Sequence, residues 1–315
     1  MKHLESVTSK NNKWYFYLLV VIGAFVIANM ITSIPFIIII AYYFFKNGMD
    51  MEILPDIVSN NFSGIDKNLF LFVNMFVFVV LLLSAIFLIK MLHRRKWKEV
   101  INGTNRVRWS RFFFSFLIYG LITTILFAVF YFIKPDNYVF QFDPSRFFIL
   151  LVIAVLFIPI QSSTEEFLFR GYFAQGIASW TKSRWWALII PSVLFGLMHI
   201  INPEIKEFGF FVMMPQYIFV GLILGIMSIL DDGIELAMGA HTANNMFAAL
   251  FVTFESSALQ TDALFRAKEV NPSEDFLTII IVGVVILAIF AVKYKWNFRV
   301  LNQKVVLKEE SVLQE

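Results

Sequence analysis

The chain contains no cysteine. Disulfide bonds, a thiolate nucleophile and any sulfur-ligated metal are therefore excluded, and a nucleophile has to come from water, serine or threonine. Charge is also scarce: Asp, Glu, Lys and Arg make up 16% of the 315 residues, whereas 59% are hydrophobic and 38 are phenylalanine. Polar stretches reach only about 20 residues, too few to bury a core of their own, so no soluble domain is left over. There is no internal repeat and no low-complexity tract. This composition belongs to polytopic helical membrane proteins. The small net charge of +3 gives no reason to invoke nucleic acid.

Apolar runs of spanning length occupy 14–45, 68–89, 112–133, 147–180, 185–201, 208–230, 234–254 and 276–292. They predict an all-α transmembrane bundle of about eight spans. A single membrane domain covers 1–315, with N-terminal helices in 1–146, the polar motifs in 147–254, and a last span and basic tail in 255–315. The first run is longer than a signal-peptide core and lacks a small-residue cleavage site, so it reads as a membrane helix. The fourth run is apolar only to Ile160 and contains Pro159, which predicts a long, kinked helix. The loop 255–275 is predicted to be partly helical. Alternate polar segments carry 18 Lys and Arg against 7 in the intervening set, and Arg170 completes the 26. The rich set includes both termini, which are therefore expected to be cytoplasmic. The expected location is the cell membrane, as a multi-pass protein of the bacterial plasma-membrane type.

Against this apolar background, ionisable side chains inside the spans stand out, because at that depth they need a partner or a water-filled cavity. Glu165, Glu166 and Arg170 lie on one run and His199 on the next, with only the polar turn 181–184 between the two runs. Antiparallel helices joined by so short a turn should hold Glu165, Glu166 and His199 at one depth to within roughly 3 Å. Glu166 and Arg170 are one turn apart and can form an intrahelical ion pair. Glu165 is then left beside a like charge, as a general base would be. A second polar cluster, His241, Asn244 and Asn245, is embedded among Ala237, Gly239, Ala240 and Ala243, small residues that let helices approach closely. His241 and Asn245 share a helix face. The other two histidines, His3 and His93, fall in basic flanks outside the membrane core. A lone buried histidine is more often structural, but two of them with a glutamate pair and an asparagine on adjoining helices make up the parts of a hydrolase. Phe195 reads as core packing. Ser163 and Thr164 read as a helix cap after Pro159, and no serine-hydrolase elbow is present.

Three of these segments resemble one known family. EEFLFR reads as Glu-Glu-x-x-x-Arg, FGLMH as Phe-x-x-x-His and HTANN as His-x-x-x-Asn. Their order and bundle setting are similar to those of the CPBP family, the CAAX-protease and bacteriocin-processing (Abi) intramembrane proteases. The resemblance covers about 147–250. It implies a glutamate-type intramembrane endopeptidase with an eight-helix core, acting on a membrane-associated peptide or protein. In that pattern Glu165 activates water with help from His199, His241 and Asn245 hold the oxyanion, and Glu166 and Arg170 form a supporting pair. The family is also described as metalloproteases, in which case Glu165, His199 and His241 would ligate zinc. That would leave only Asn245 for the oxyanion, and no His-Glu-x-x-His helix exists, so the expectation is a metal-free site. Two other readings are a non-catalytic immunity or scaffold protein, which the intact Glu165, His199 and His241 argue against, and a proton-coupled transporter, for which an inverted repeat is missing.

Overall fold

The computed structural model describes residues 2–7, 12–46, 48–49 and 66–307. Its helices in chain order are Trp14–Lys46 (α1), Lys67–Leu92 (α2), Trp97–Asn102 (α3), Trp109–Ile133 (α4), Pro144–Glu166 (α5), Ala174–Thr181 (α6), Arg184–Met198 (α7), Pro203–Phe208 (α8), Phe210–Leu230 (α9), Glu235–Leu250 (α10) and Pro272–Tyr294 (α11). A π-helical segment, Phe167–Phe173, joins α5 to α6, so that Pro144–Thr181 is one helical body. Six of the described helices are long and apolar enough to cross a membrane, counting that body as one.

The expected runs 185–201 and 234–254 become shorter helices, α7 with 15 residues and α10 with 16. At ~1.5 Å per residue they reach only ~22–24 Å, less than the ~30 Å hydrocarbon thickness of a bilayer. His199 takes the C-cap of α7. The chain then turns before Pro203, where the residue ahead of the proline is steered away from helix. Irregular backbone at such depth is tolerated only inside protein or along a water-filled cavity.

The long helix is present as expected, running through Pro159 and on into the π segment. The expected cap is corrected. Ser163 and Thr164 therefore sit inside α5 rather than capping it, and Thr164 Oγ1 donates back to the Ile160 carbonyl at 2.7 Å. The loop 255–275 is helical only from Pro272. Its middle forms strand Phe265–Ala267 (β3), which pairs antiparallel with Tyr138–Phe140 (β1) and parallel with Val252–Thr253 (β2).

That small sheet marks one end of the bundle. At the opposite end, segments expected on a common side meet. The Lys2 and His3 backbone N–H groups both donate to Asp232 at 2.9 Å. Arg108 pairs with Glu235 at 2.6 Å and Asp231 at 3.2 Å, and Arg111 with Asp231 at 2.9 Å. Arg184, at the start of α7, donates to the Gln303 and Lys304 carbonyls at 2.9 Å each. The α6–α7 turn is as tight as expected, with Lys182 left-handed and Ser183 capping α7.

The site helix α10 packs against α4 on one side and α5 on the other. Close approach is possible because Ala237, Ala240 and Ala243 are buried with no bulk to displace. At Gly239 a Cβ would collide with the Phe112 carbonyl of α4. We expect Gly239→Ala to lower the melting temperature of the purified protein, as overpacking by one methyl group costs about 1–3 kcal/mol. An unchanged melting curve would show that α4 and α10 are not in contact there.

Candidate functional site

The site is built on the junction between α5 and the π segment Phe167–Phe173, a rare helical geometry that is frequent at functional sites. Glu165 and Glu166 close α5, and Arg170 lies within the π turns. Glu166 is fully buried, and one of its oxygens, Oε1, accepts from Arg170 Nη1 at 2.9 Å and from His241 Nδ1 at 2.8 Å. Arg170 also donates to the Gly221 carbonyl of α9 at 3.2 Å and lies 4.2 Å over the Phe195 ring. A buried carboxylate is tolerable only with such compensation, and here α5, α9 and α10 are tied together by supplying it.

Glu165 faces outward from this cluster, with its side chain 16% exposed. Its Oε1 accepts from Gln161 Nε2 at 2.6 Å. Its Oε2 is buried, makes no hydrogen bond among the described residues and lies 3.5 Å from His241 Nε2. His241 therefore bridges the two carboxylates, with Nδ1 committed to Glu166 and Nε2 directed at Glu165.

His199 lies beside this network without bonding to either carboxylate. Its Nδ1 is 2.8 Å from the Phe195 carbonyl. A carbonyl only accepts, so Nδ1 carries the proton and Nε2 is left with the basic lone pair. The ring is clamped between Phe195, 4.8 Å away centre to centre, and Tyr217, which stacks on it at 4.4 Å and 19°. Phe195 also touches His241, at 5.8 Å between ring centres. Asn245 lies one turn along α10 from His241. Its Nδ2 donates to Gln161 Oε1 at 2.9 Å and has a longer contact, 3.4 Å, with Ser162 Oγ. Thus Glu165, Glu166, Arg170, His241 and Asn245 form one bonded cluster with His199 beside it.

Sequence reasoning passed over three contributors. Gln161 is one turn before Glu165 on the same face, so the spacing was there to be read. His3 and His93, expected in basic flanks outside the membrane core and given no role there, are 1% and 4% exposed and both support the π segment. His3 Nε2 donates to the Arg170 carbonyl at 3.0 Å, and His93 Nε2 is 2.6 Å from the Tyr172 hydroxyl. Each residue is far in sequence from its partner, and only the folded chain brings them together. Burial holds the His3 imidazole below the ordinary histidine range, against Asp232, the Arg170 carbonyl and Glu235, which favour the proton, and together with Arg108, which opposes it.

Among the described residues, no three His, Asp or Glu side chains converge as a metal-binding group. Nδ1 of each site histidine is bonded, to Glu166 and to the Phe195 carbonyl, which leaves Nε2 of His199 and His241 and the Glu165 carboxylate as the atoms that would hold a metal ion.

Two adjacent carboxylates beside two histidines, inside a bundle of apolar helices, mark a polytopic membrane protein with ionisable side chains gathered within the bundle. Residues 144–247, which hold every one of these side chains, match the model of the Rce1-like family, described as type II CAAX prenyl endopeptidase Rce1-like. It is 29% identical over 283 residues to the uncharacterized protein YyaK of Bacillus subtilis (strain 168), an alignment that covers 88% of this chain and 91% of the relative. No solved structure matches the chain.

Two outcomes follow from the burial. Arg170→Met leaves Glu166 uncompensated and should destabilise the protein by about 3–5 kcal/mol, read as a lower melting temperature. An inactive variant that melts like wild type would make Arg170 a direct participant instead. His3 is neutral when folded and protonated when unfolded below its ordinary pKa of 6.5. Its contribution is therefore complete above that pH and is lost as the pH falls. Melting curves from pH 7.5 to 5 should show a loss of stability that His3→Gln removes, and an equal loss in both proteins would contradict this.

Proposed function

We propose that this protein is an intramembrane endopeptidase of the CAAX type, hydrolysing a peptide bond of a membrane-anchored peptide or protein with water activated by Glu165. The observation that carries this reading is the division of labour between the two carboxylates. Both carboxylates have an Oε2 without a hydrogen bond among the described residues, but Glu166 is sealed inside the protein with Oε1 held by Arg170 and His241, whereas Glu165 is partly exposed with its Oε2 beside His241 Nε2.

The chemistry proceeds from these positions. Glu165 takes a proton from water, whose other hydrogen bonds to the basic Nε2 of His199. The oxygen attacks the scissile carbonyl carbon, and the carbonyl becomes an oxyanion. His241, protonated on Nε2 and held through Nδ1 by Glu166, donates to that oxyanion. Asn245 offers the Nδ2 hydrogen that otherwise makes only the long contact to Ser162. The proton on Glu165 then passes to the departing amide nitrogen as the C–N bond breaks, and Glu165 is again a carboxylate. Two preorganised donors facing a developing charge in a low-dielectric site contribute roughly 3 kcal/mol each. The family description points to a prenylated CAAX-like C-terminus as the substrate class.

The test is cleavage of a quenched fluorescent farnesyl-CAAX peptide by the protein reconstituted in liposomes. Glu165→Gln should reduce turnover by at least about 10²–10⁴, the scale of a positioned general base. Asn245→Ala should lower it by about 10²–10³ with little change in KM. Turnover should persist after exhaustive chelation. Activity that vanishes with chelator and returns with stoichiometric zinc would overturn the mechanism, and full activity in Glu165→Gln would overturn the assignment of the base.

A further inference from the structure

Glu165 Oε1 is the acceptor end of an unbroken line of hydrogen bonds across three helices. Gln161 Nε2 donates to it at 2.6 Å, Asn245 Nδ2 to Gln161 Oε1 at 2.9 Å, Asn244 Nδ2 to Asn245 Oδ1 at 3.0 Å, and the Tyr119 hydroxyl to Asn244 Oδ1 at 2.8 Å. The direction of the line is set by chemistry. A carboxylate can only accept, so Gln161 must turn its NH₂ toward Glu165 and its oxygen toward Asn245. The same choice then passes to Asn245, to Asn244 and to the hydroxyl of Tyr119 on α4. Reversing any one amide would set two acceptors or two donors against each other. Aligned in this way, the amides polarise one another in a low-dielectric setting.

The line also accounts for an otherwise unfavourable residue. Asn244 is exposed on α10 at membrane depth, where an unsatisfied amide is costly. Both ends of its amide are spent within the line. Tyr119 and Asn244 also border a cavity of about 30 Å³ together with His241, so the start of the line lies against the same cluster that its end serves.

We propose that Gln161 is a positioning residue for Glu165, and that Tyr119 on α4 holds it in place through Asn244 and Asn245. The functional weight of this inference rests on Glu165 being the base, but the line can be tested without substrate. In protein labelled with ¹⁵N-glutamine and reconstituted in nanodiscs, the Gln161 side-chain amide should give a signal displaced by its short bond to a carboxylate, identified by its loss in Gln161→Met. Should that variant fail to fold, collapse of the displacement in Glu165→Gln identifies the signal equally well. Tyr119→Phe, which touches neither Gln161 nor Glu165, should move this signal, and a signal unmoved by Tyr119→Phe would overturn the proposal.

Kinetics on the farnesyl-CAAX peptide supply the second arm. Tyr119→Phe should lower kcat by about threefold to tenfold and Gln161→Met by about 10–100-fold, each with KM unchanged. The double variant should be no slower than Gln161→Met alone, because the line no longer reaches Glu165. Losses that multiply, or that fall on KM, would indicate merely structural roles and overturn the proposal. A coupled Gln161 signal in a protein that cleaves no peptide would support the line while counting against the protease reading.

Discussion

Glu166 has no exposure at all, and the surrounding structure is arranged so that its charge can be kept. An uncompensated carboxylate in a medium this apolar would take up a proton or unfold the protein. Arg170, one turn along the same helical body, and His241, on α10, both bond to its Oε1. Each partner commits more of the structure. Arg170 reaches the Gly221 carbonyl of α9 and covers Phe195 of α7, while His241 draws α10 against α5. One ion pair therefore sets the relative positions of four helices, and it leaves the neighbouring Glu165 in a fixed place with an oxygen to use.

The supports of this arrangement come from remote parts of the chain. The π segment widens the helix where Arg170 must reach both Glu166 and Gly221. Residues from other segments brace it: His3 donates to the Arg170 carbonyl, His93 meets the Tyr172 hydroxyl, and just beyond the segment Gln175 donates to the Val100 carbonyl at 3.1 Å. Gly171 lies where a Cβ would press on Val100, so α3 packs directly against the π turns. Rigid support of this kind matters for the proposed chemistry, since a misplacement of about 1 Å can cost on the order of 100-fold in rate.

How much of this was legible in the sequence follows from how local each interaction is. Glu166 and Arg170 are one turn apart, so their pairing is a property of any helix, and the tight turn at Lys182 and Ser183 makes α6 and α7 antiparallel from local chemistry alone. Small residues around His241 announced a buried helix. What could not be read were encounters across the chain. His3 and His93 looked like ordinary members of basic flanks because their partners lie in a segment roughly 80 to 170 residues away. The strands at 252–253 and 265–267 are too short to show alternation. The π geometry gives no pattern that separates it from the α-helix continuing on either side. Gln161 was missed for a different reason: its spacing to Glu165 was visible, but an amide inside an apolar run draws less notice than a charge.

The central claim is that Glu165 activates water rather than attacking the peptide itself. A single turnover in H₂¹⁸O, with enzyme in excess over the farnesyl-CAAX peptide, addresses it directly. Mass spectrometry of both partners should find one ¹⁸O in the new carboxyl terminus of the product and none in the enzyme peptide that contains Glu165. Label in the Glu165 carboxyl group after that turnover, with an unlabelled product, would mean a covalent acyl intermediate on the glutamate and would contradict the account.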